Sequence, residues 1–190
     1  HKTLRGPRGG LILCRQQHAK AIDASVFPGL QGGPHMNTIA GVAVTLRKAA
    51  EPAFRDYALQ VLRNAKTLAS ALLEAGLTLV TGGTDNHMIV LDTIASFGLD
   101  GREAERVLDE VGITTNKQVI PDDPRPPLRP SGIRIGTPAC TTRGMREAEM
   151  GFIAGWIVET LRAAGEPERM ASLAREVRGL CETFPVPGLA

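Results

Sequence analysis

Two side chains far apart in a chain of 190 residues carry the most specific chemistry its sequence offers. Lys2 follows His1 and precedes a turn rich in Gly and Pro, Thr3-Leu4-Arg5-Gly6-Pro7-Arg8-Gly9-Gly10, and then an apolar run, Leu11-Ile12-Leu13-Cys14. Gly and Pro at this density fix an irregular backbone, and Gly lets the chain come close to a ligand. The apolar run reads as a short buried strand. Lys2 is therefore expected on a loop about to enter a core, where an amine loses water and its pKa falls. A neutral amine attacks an aldehyde to form a Schiff base. Spacing alone does not separate this reading from a solvated surface lysine. Arg134 lies in Ser131-Gly132-Ile133-Arg134-Ile135-Gly136, a predicted strand in which it points away from its apolar neighbours. Its planar fork matches a carboxylate at two points, although an arginine on the solvent face of a strand is the ordinary alternative.

Other polar groups are weaker candidates. Gly29, Gly32 and Gly33 lie in a Pro- and Gly-bounded loop over residues 26–34, and their bare N–H groups can face an anion. A plain turn accounts for a glycine pair equally well. Asp85 and His87 form a tempting pair, but a turn running into a strand explains them. No second ligand cluster has metal spacing, so no metal site is expected.

The elements that must position these groups follow from periodicity and punctuation. Residues 16–23 have helical spacing. A helix is expected from about His35, with Met36, Ile39, Ala40, Ala43, Val44 and Leu46 on one side. A second runs from about Pro52 to Ala75, burying Phe54, Ala58, Val61, Leu62, Ala65, Leu68, Ala69, Leu72 and Leu73, with Gly76 as its stop. Residues 77–81 and 87–93 read as an antiparallel strand pair joined by Gly82-Gly83-Thr84-Asp85-Asn86. Residues 100–111 form a helix capped by Asp100 and closed by Gly112, and residues 113–116 a short strand. Pro121, Pro124, Pro126, Pro127 and Pro130 make residues 118–130 a stiff loop, before the strand at 132–136. Helices over 145–164 and 167–184 complete a two-layer α/β arrangement.

Composition narrows the class. A net charge of +2 implies neither nucleic acid nor a membrane surface as partner. The three cysteines, Cys14, Cys140 and Cys181, are widely spaced and odd in number. They are expected to be small core residues in a reducing, cytoplasmic compartment. No signal-peptide pattern or membrane-length apolar run is visible. The chain opens without Met, directly on its most informative motif, and is expected to be a fragment.

The string His1–Gly10 resembles the lysine segment of the serine hydroxymethyltransferases, enzymes that use pyridoxal phosphate (PLP) and folate. Every specified position of their His-Lys-Thr-Leu-x-Gly-Pro-Arg-Gly-Gly run is present. Phe27-Pro28-Gly29-Leu30-Gln31-Gly32-Gly33-Pro34 and Ser131-Gly132-Ile133-Arg134-Ile135-Gly136-Thr137-Pro138-Ala139 match in the same order. The resemblance covers essentially all of this chain and the C-terminal part of the family. It implies an α/β PLP-dependent aminotransferase-like fold (fold type I). Residues 1–50 would be the C-terminal remnant of the large PLP-binding domain, 51–76 an interdomain helix, and 77–190 the small C-terminal α/β domain.

The resemblance also implies roles. Lys2 is the catalytic lysine that holds PLP, His1 lies beside the ring, and Arg8 is near cofactor and bound amino acid. Gly32 and Gly33 approach the PLP phosphate of the neighbouring subunit, which implies a homodimer with shared active sites that could pair into a tetramer. Arg134 clamps the substrate carboxylate, and Arg5, at the variable position, is surface. The family's pterin-contacting strings Asn-Lys-Asn-Ser-Val-Pro and Ser-Pro-Phe stand here as Asn116-Lys117-Gln118-Val119-Ile120-Pro121 and Pro126-Pro127-Leu128. Gln118 keeps an amide, while a serine hydroxyl and an aromatic ring are lost at Pro126 and Leu128. The implied activity interconverts serine and glycine with tetrahydrofolate as co-substrate. The altered loop motivates a runner-up, an α-methylserine hydroxymethyltransferase or β-hydroxy amino acid aldolase. A third reading is an inactive truncated chain.

Overall fold

A computed structural model describes residues 1–188, divided between two units, His1–Asp56 and Tyr57–Ala190. In the first, helix α1 (Gln16–Ala24) forms where helical spacing places it. Ser25–Leu30 follows as a wide turn broken at Phe27, where the backbone is extended and the bond to Pro28 is cis. Helix α2 (Met36–Ala49) carries Arg47 and Lys48 in its last turn, the end where the helix dipole favours cations.

The run Leu11-Ile12-Leu13-Cys14 is not the buried strand expected. It joins no ladder, and Leu11, Ile12 and Leu13 are 65%, 62% and 87% exposed. A strand needs neighbouring backbone to satisfy its N–H and C=O groups, and no other strand lies in this unit. Cys14 is likewise exposed rather than a core residue. Neither α1 nor α2 buries a residue, while Phe27, Leu30 and Met36 are exposed. The first unit thus has apolar surface but no core of its own.

The lysine loop nevertheless packs on α2. A Cβ at Gly6 would sit 2.4 Å from Thr45 Oγ1, and one at Gly41 would meet Pro7 Cγ at 3.0 Å. These glycines serve a close approach of loop to helix, not only access for a ligand.

Helix α3 (Pro52–Glu74) starts with Pro in its first turn and is followed by Gly76 in a left-handed conformation. Its buried face is Gln60, Val61, Asn64, Ala65, Leu68, Ala69 and Leu72, so two amides join the expected apolar stripe and Leu73 is exposed. The sheet of the second unit has the order β1-β3-β2, antiparallel throughout: β1 (Met88–Asp92), β2 (Asn116–Gln118) and β3 (Gly132–Gly136). The strand expected over residues 77–81 contributes only a bridge, Leu79 opposite Leu91. Left-handed Thr81 and Gly82 turn the chain before a ladder can extend. The strand expected at 113–116 begins only at Asn116, because its neighbour β3 offers partners from Arg134 back to Gly132.

Ile133 and Ile135 of β3 and Ile89 and Leu91 of β1 face the core, with Leu68, Leu72, Leu108, Met150, Ile157 and Leu173 from the helices. Removing each such side chain from water contributes about 1.5–3 kcal/mol. Helix α4 (Thr93–Phe97), a single turn, takes over from β1 at Thr93, with Asp92 accepting from the Ala95 N–H. Helix α5 (Gly101–Glu110) is capped by Asp100, whose carboxylate accepts from the Glu103 N–H at 2.9 Å, and ends before left-handed Gly112.

After β3 comes another single turn, α6 (Pro138–Thr142), then α7 (Glu147–Arg162) and α8 (Pro167–Thr183). Arg143 ties the end of α8 to the turn after α6: Nε donates to the Phe184 carbonyl at 2.6 Å and a terminal nitrogen to the Cys181 carbonyl at 2.7 Å. Cys140 packs against the core, and burial pushes its thiol pKa up; Cys181 is half-buried. No helix among the described residues is long and apolar enough to cross a membrane.

Candidate functional site

The candidate residues fall into two groups, one in each unit. In the first unit, His1, Lys2 and Arg8 lie on the loop that packs on α2, and all three are exposed. A tight turn follows the lysine, with the Arg5 N–H donating to the Lys2 carbonyl at 3.1 Å and Arg5 at φ 56°. Lys2 is therefore not on the threshold of a core within this unit; the expected loss of water has no source among the residues packed around it. Gly32 and Gly33 lie between the wide turn and α2, exposed, with nothing within 4 Å of where a Cβ would project. The space on their Cβ side is open, which leaves room for an anion to approach this backbone.

In the second unit, Arg134 sits at the middle of the central strand. Val90, Arg134 and Asn116 are directly opposite one another across β1, β3 and β2, so they form one row on the face opposite Ile133 and Ile135. The alternation that predicted this orientation is present: Ile133 and Ile135 are buried and Arg134 half-buried. Arg134 Nε donates to Asn116 Oδ1 at 3.0 Å. No carboxylate among the described residues pairs with it, whereas Arg63, Arg106, Arg125, Arg129 and Arg169 all have acidic partners. A half-buried guanidinium with a neutral partner and an uncommitted fork can receive an anion.

The loop between β2 and β3 holds the remaining candidates. Gln118 ends β2, and its side-chain amide donates to the Val119 carbonyl at 3.0 Å. Pro126, Pro127 and Leu128 are exposed, Leu128 at 75%. Two carboxylates hold this loop, and sequence reasoning missed both roles. Asp123 accepts from the Ser131 hydroxyl at 2.7 Å and from the N–H groups of Ser131, Arg125 and Ile120 at 2.9, 3.0 and 3.2 Å. Burial would raise its pKa, but the bonds from Ser131, Arg125 and Ile120 outweigh that and hold it at about 2. Asp100, a buried carboxylate, accepts from Arg129 Nε at 2.7 Å and stands 3.7 Å from Arg125. Burial again acts upward, and the Glu103 N–H and the Arg129 guanidinium carry its pKa below the ordinary value. The loop is therefore pinned at both its middle and its end, immediately before the strand that carries Arg134. Asp-Asp-Pro at 122–124 is an ordinary turn signal, so Asp123's four bonds were legible only as a turn.

Buried amides on α3 make a third feature that the sequence concealed. Asn64 donates to Thr141 Oγ1 and the Met145 carbonyl, both at 2.9 Å, and accepts from Gln60 at 2.8 Å. Thr141 donates to the Thr137 carbonyl at 2.8 Å, and the Thr137 hydroxyl to the Val61 carbonyl at 2.9 Å. This network fixes the turn that leaves β3. Asp85 takes no part in a dyad with His87; Thr84 and Asn86 build that turn, and the His87 carbonyl accepts from the Thr137 N–H at 3.2 Å. A cleft of about 710 Å³ lined by Ala71, Gly151, Gly155, Arg162 and Arg169, among others, includes none of the candidate residues.

Comparison with known proteins adds an independent line. The sequence model of a family described as serine hydroxymethyltransferase matches residues 1–157. A serine hydroxymethyltransferase of Koribacter versatilis is 51% identical over 186 residues, covering 98% of this chain and 43% of that protein. One of Acidothermus cellulolyticus is 53% identical over 195 residues, covering 100% and 45%, and one of Acidobacterium capsulatum is 53% identical over 188 residues, covering 99% and 44%. The chain spans under half the length of these curated relatives.

Proposed function

Because this chain belongs to the serine hydroxymethyltransferase family, we propose that it forms part of an enzyme that interconverts serine and glycine, with PLP as cofactor and tetrahydrofolate as carrier of the one-carbon unit. In this reading the fold is of the PLP-dependent fold type I. Residues 1–50 complete the cofactor domain, 51–76 link it onward, and 77–190 form the small α/β domain. The enzyme works as a cytoplasmic homodimer with shared sites, and the chain taken alone is inactive.

The donor set fits an aldehyde phosphate. A primary amine at Lys2, an imidazole at the preceding His1 and a guanidinium at Arg8 are carried on one loop that packs on α2. The side-chain-free, open backbone at Gly32 and Gly33 suits phosphate oxygens, in the partner subunit's site. When bound, PLP supplies an electron sink for charge developing at the amino acid's α carbon. The protein's part is to bind and aim. Lys2 would hold the cofactor through Nζ, His1 would help set the ring's position, and Arg134 would grip the substrate carboxylate, so that the bonds at the α carbon keep one orientation. Gln118 commits its NH₂ to Val119 and leaves its carbonyl to accept from a pterin N–H, while Pro126, Pro127 and Leu128 offer an exposed apolar edge to the rest of the folate.

The observation that carries this reading is Arg134: a half-buried cation in mid-sheet, with no carboxylate partner among the described residues and an amide on one edge. The test is reductive trapping on the full-length enzyme. Borohydride should fix a pyridoxyl group on Lys2, and Lys2→Ala should abolish the adduct. A pyridoxyl group mapped to another lysine would refute the assignment.

A further inference from the structure

We infer that Asn116 is a positioning residue for the amino-acid substrate, acting through Arg134; the inference rests on the reading of Arg134 as the carboxylate clamp. The two residues are register partners across β2 and β3. Asn116 Oδ1 accepts from Arg134 Nε at 3.0 Å, and Asn116 Nδ2 donates to the Lys117 carbonyl at 2.8 Å. The second bond matters because it decides which end of the amide faces the arginine. With the nitrogen committed to backbone, the oxygen is the end presented to the guanidinium. One edge of the fork is thereby held, and the terminal nitrogens remain for a ligand.

The chemical type of the partner is the second half of the argument. A guanidinium can be oriented by an amide or by a carboxylate, with opposite consequences. A carboxylate at position 116 would pair with Arg134, and an incoming substrate carboxylate would have to displace it. Two other arginines are held by acids, Arg129 by Asp100 and Arg169 by Glu159, while Arg143 is spent on the Phe184 and Cys181 carbonyls. At Arg134 the holder is neutral, so its charge stays available. Asn116 aims the cation without quenching it, and this function reaches the substrate only through Arg134.

The test uses the cofactor-loaded full-length enzyme with Asn116→Ala, the nearly isosteric Asn116→Asp, and Arg134→Lys. Calorimetric titration with glycine, the KM for tetrahydrofolate and the thermal midpoint are measured for each. Glycine affinity should fall about tenfold in Asn116→Ala, as expected for one hydrogen bond to a charged group, and about a hundredfold in Asn116→Asp, where a competing ion pair is added. The KM for tetrahydrofolate should stay within about twofold, and the midpoint should not fall in proportion to the loss of glycine binding. Glycine affinity in Asn116→Asp within about twofold of the parent overturns the inference, as does equal weakening of glycine and tetrahydrofolate, which would mark a merely structural role. If Arg134→Lys binds glycine like the parent, the clamp reading itself fails. If Arg134→Lys is weakened and neither Asn116 variant is, only the role of Asn116 falls. Should Asn116→Ala not fold, Asn116→Asp, with the same shape, carries the test alone.

Discussion

Replacing Asn64 with alanine should destabilise the second unit by about 3 kcal/mol, taking about 1 kcal/mol for each of three buried hydrogen bonds lost. Asn64 is fully buried, with 0% exposure. Its partners do not suffer equally. Gln60 retains its bond to Glu147, and the Thr141 hydroxyl retains the Thr137 carbonyl, but the Met145 carbonyl loses the amide that reaches it. The assay is urea unfolding of the chain followed by Trp156, the single tryptophan of the sequence. Trp156 lies on α7, stacked on Phe152 and bonded to Glu176, so its fluorescence reports the second unit. With an m value of about 2 kcal/mol/M for a unit of this size, the midpoint should fall by about 1.5 M. Asn64→Asp is nearly isosteric but puts an oxygen where an NH₂ met Thr141 Oγ1 and the Met145 carbonyl, and should be at least as damaging. A midpoint shift below about 0.3 M at constant m for Asn64→Ala would show that the network contributes little and would refute the reasoning.

Two further perturbations probe the frame around Arg134. Asp123 has a folded-state pKa of about 2, below its unfolded value, so its contribution is complete above about pH 4 and is lost as the pH falls toward 2; Asp123→Asn should flatten that part of the acid limb in urea midpoints measured against pH. At Gly101 an added Cβ would lie 2.1 Å from the Gly132 carbonyl oxygen, a backbone atom at the start of β3, so Gly101→Ala should cost about 1–3 kcal/mol. Gly151, in mid-helix with open space around it, is the matching control: Gly151→Ala should stabilise by about 0.5–1 kcal/mol in the same unfolding assay.

The parts of this fold legible in the sequence were those whose signal is local and repeated. Helix α3 announced itself by a long stripe between Pro52 and Gly76, α5 by Asp100 and Gly112, and β3 by Ile-Arg-Ile alternation. The orientation of Arg134 followed from that alternation. What failed depended on partners at a distance. A run such as Leu11-Ile12-Leu13 is apolar whether or not a neighbouring strand exists, so its periodicity could not say that it would be exposed. The environment of Lys2 inherited the same error. Gln60 and Asn64 fall outside the apolar stripe of α3, and only their contacts with Thr141, Met145 and Glu147 reveal their burial. The single-turn helices α4 and α6 are too short to show a period at all. Asn116 was visible as part of a motif, but its bond to Arg134 arises from strand register, which no local pattern encodes.

The grip of Arg143 on the end of α8 sets a minimum length for the polypeptide. The final carbonyls of a helix commonly find a glycine turn or water; here a guanidinium from 41 positions earlier reaches the Phe184 carbonyl, with a second contact at Cys181. Trimming that removes Phe184 would deprive a half-buried cation of one acceptor. The disturbance would surface not at the cut but in the segment that departs from β3, where Thr137 and Thr141 are anchored. By this criterion, a stop codon before residue 184 would be felt in the turn that leaves β3, far from the cut in sequence.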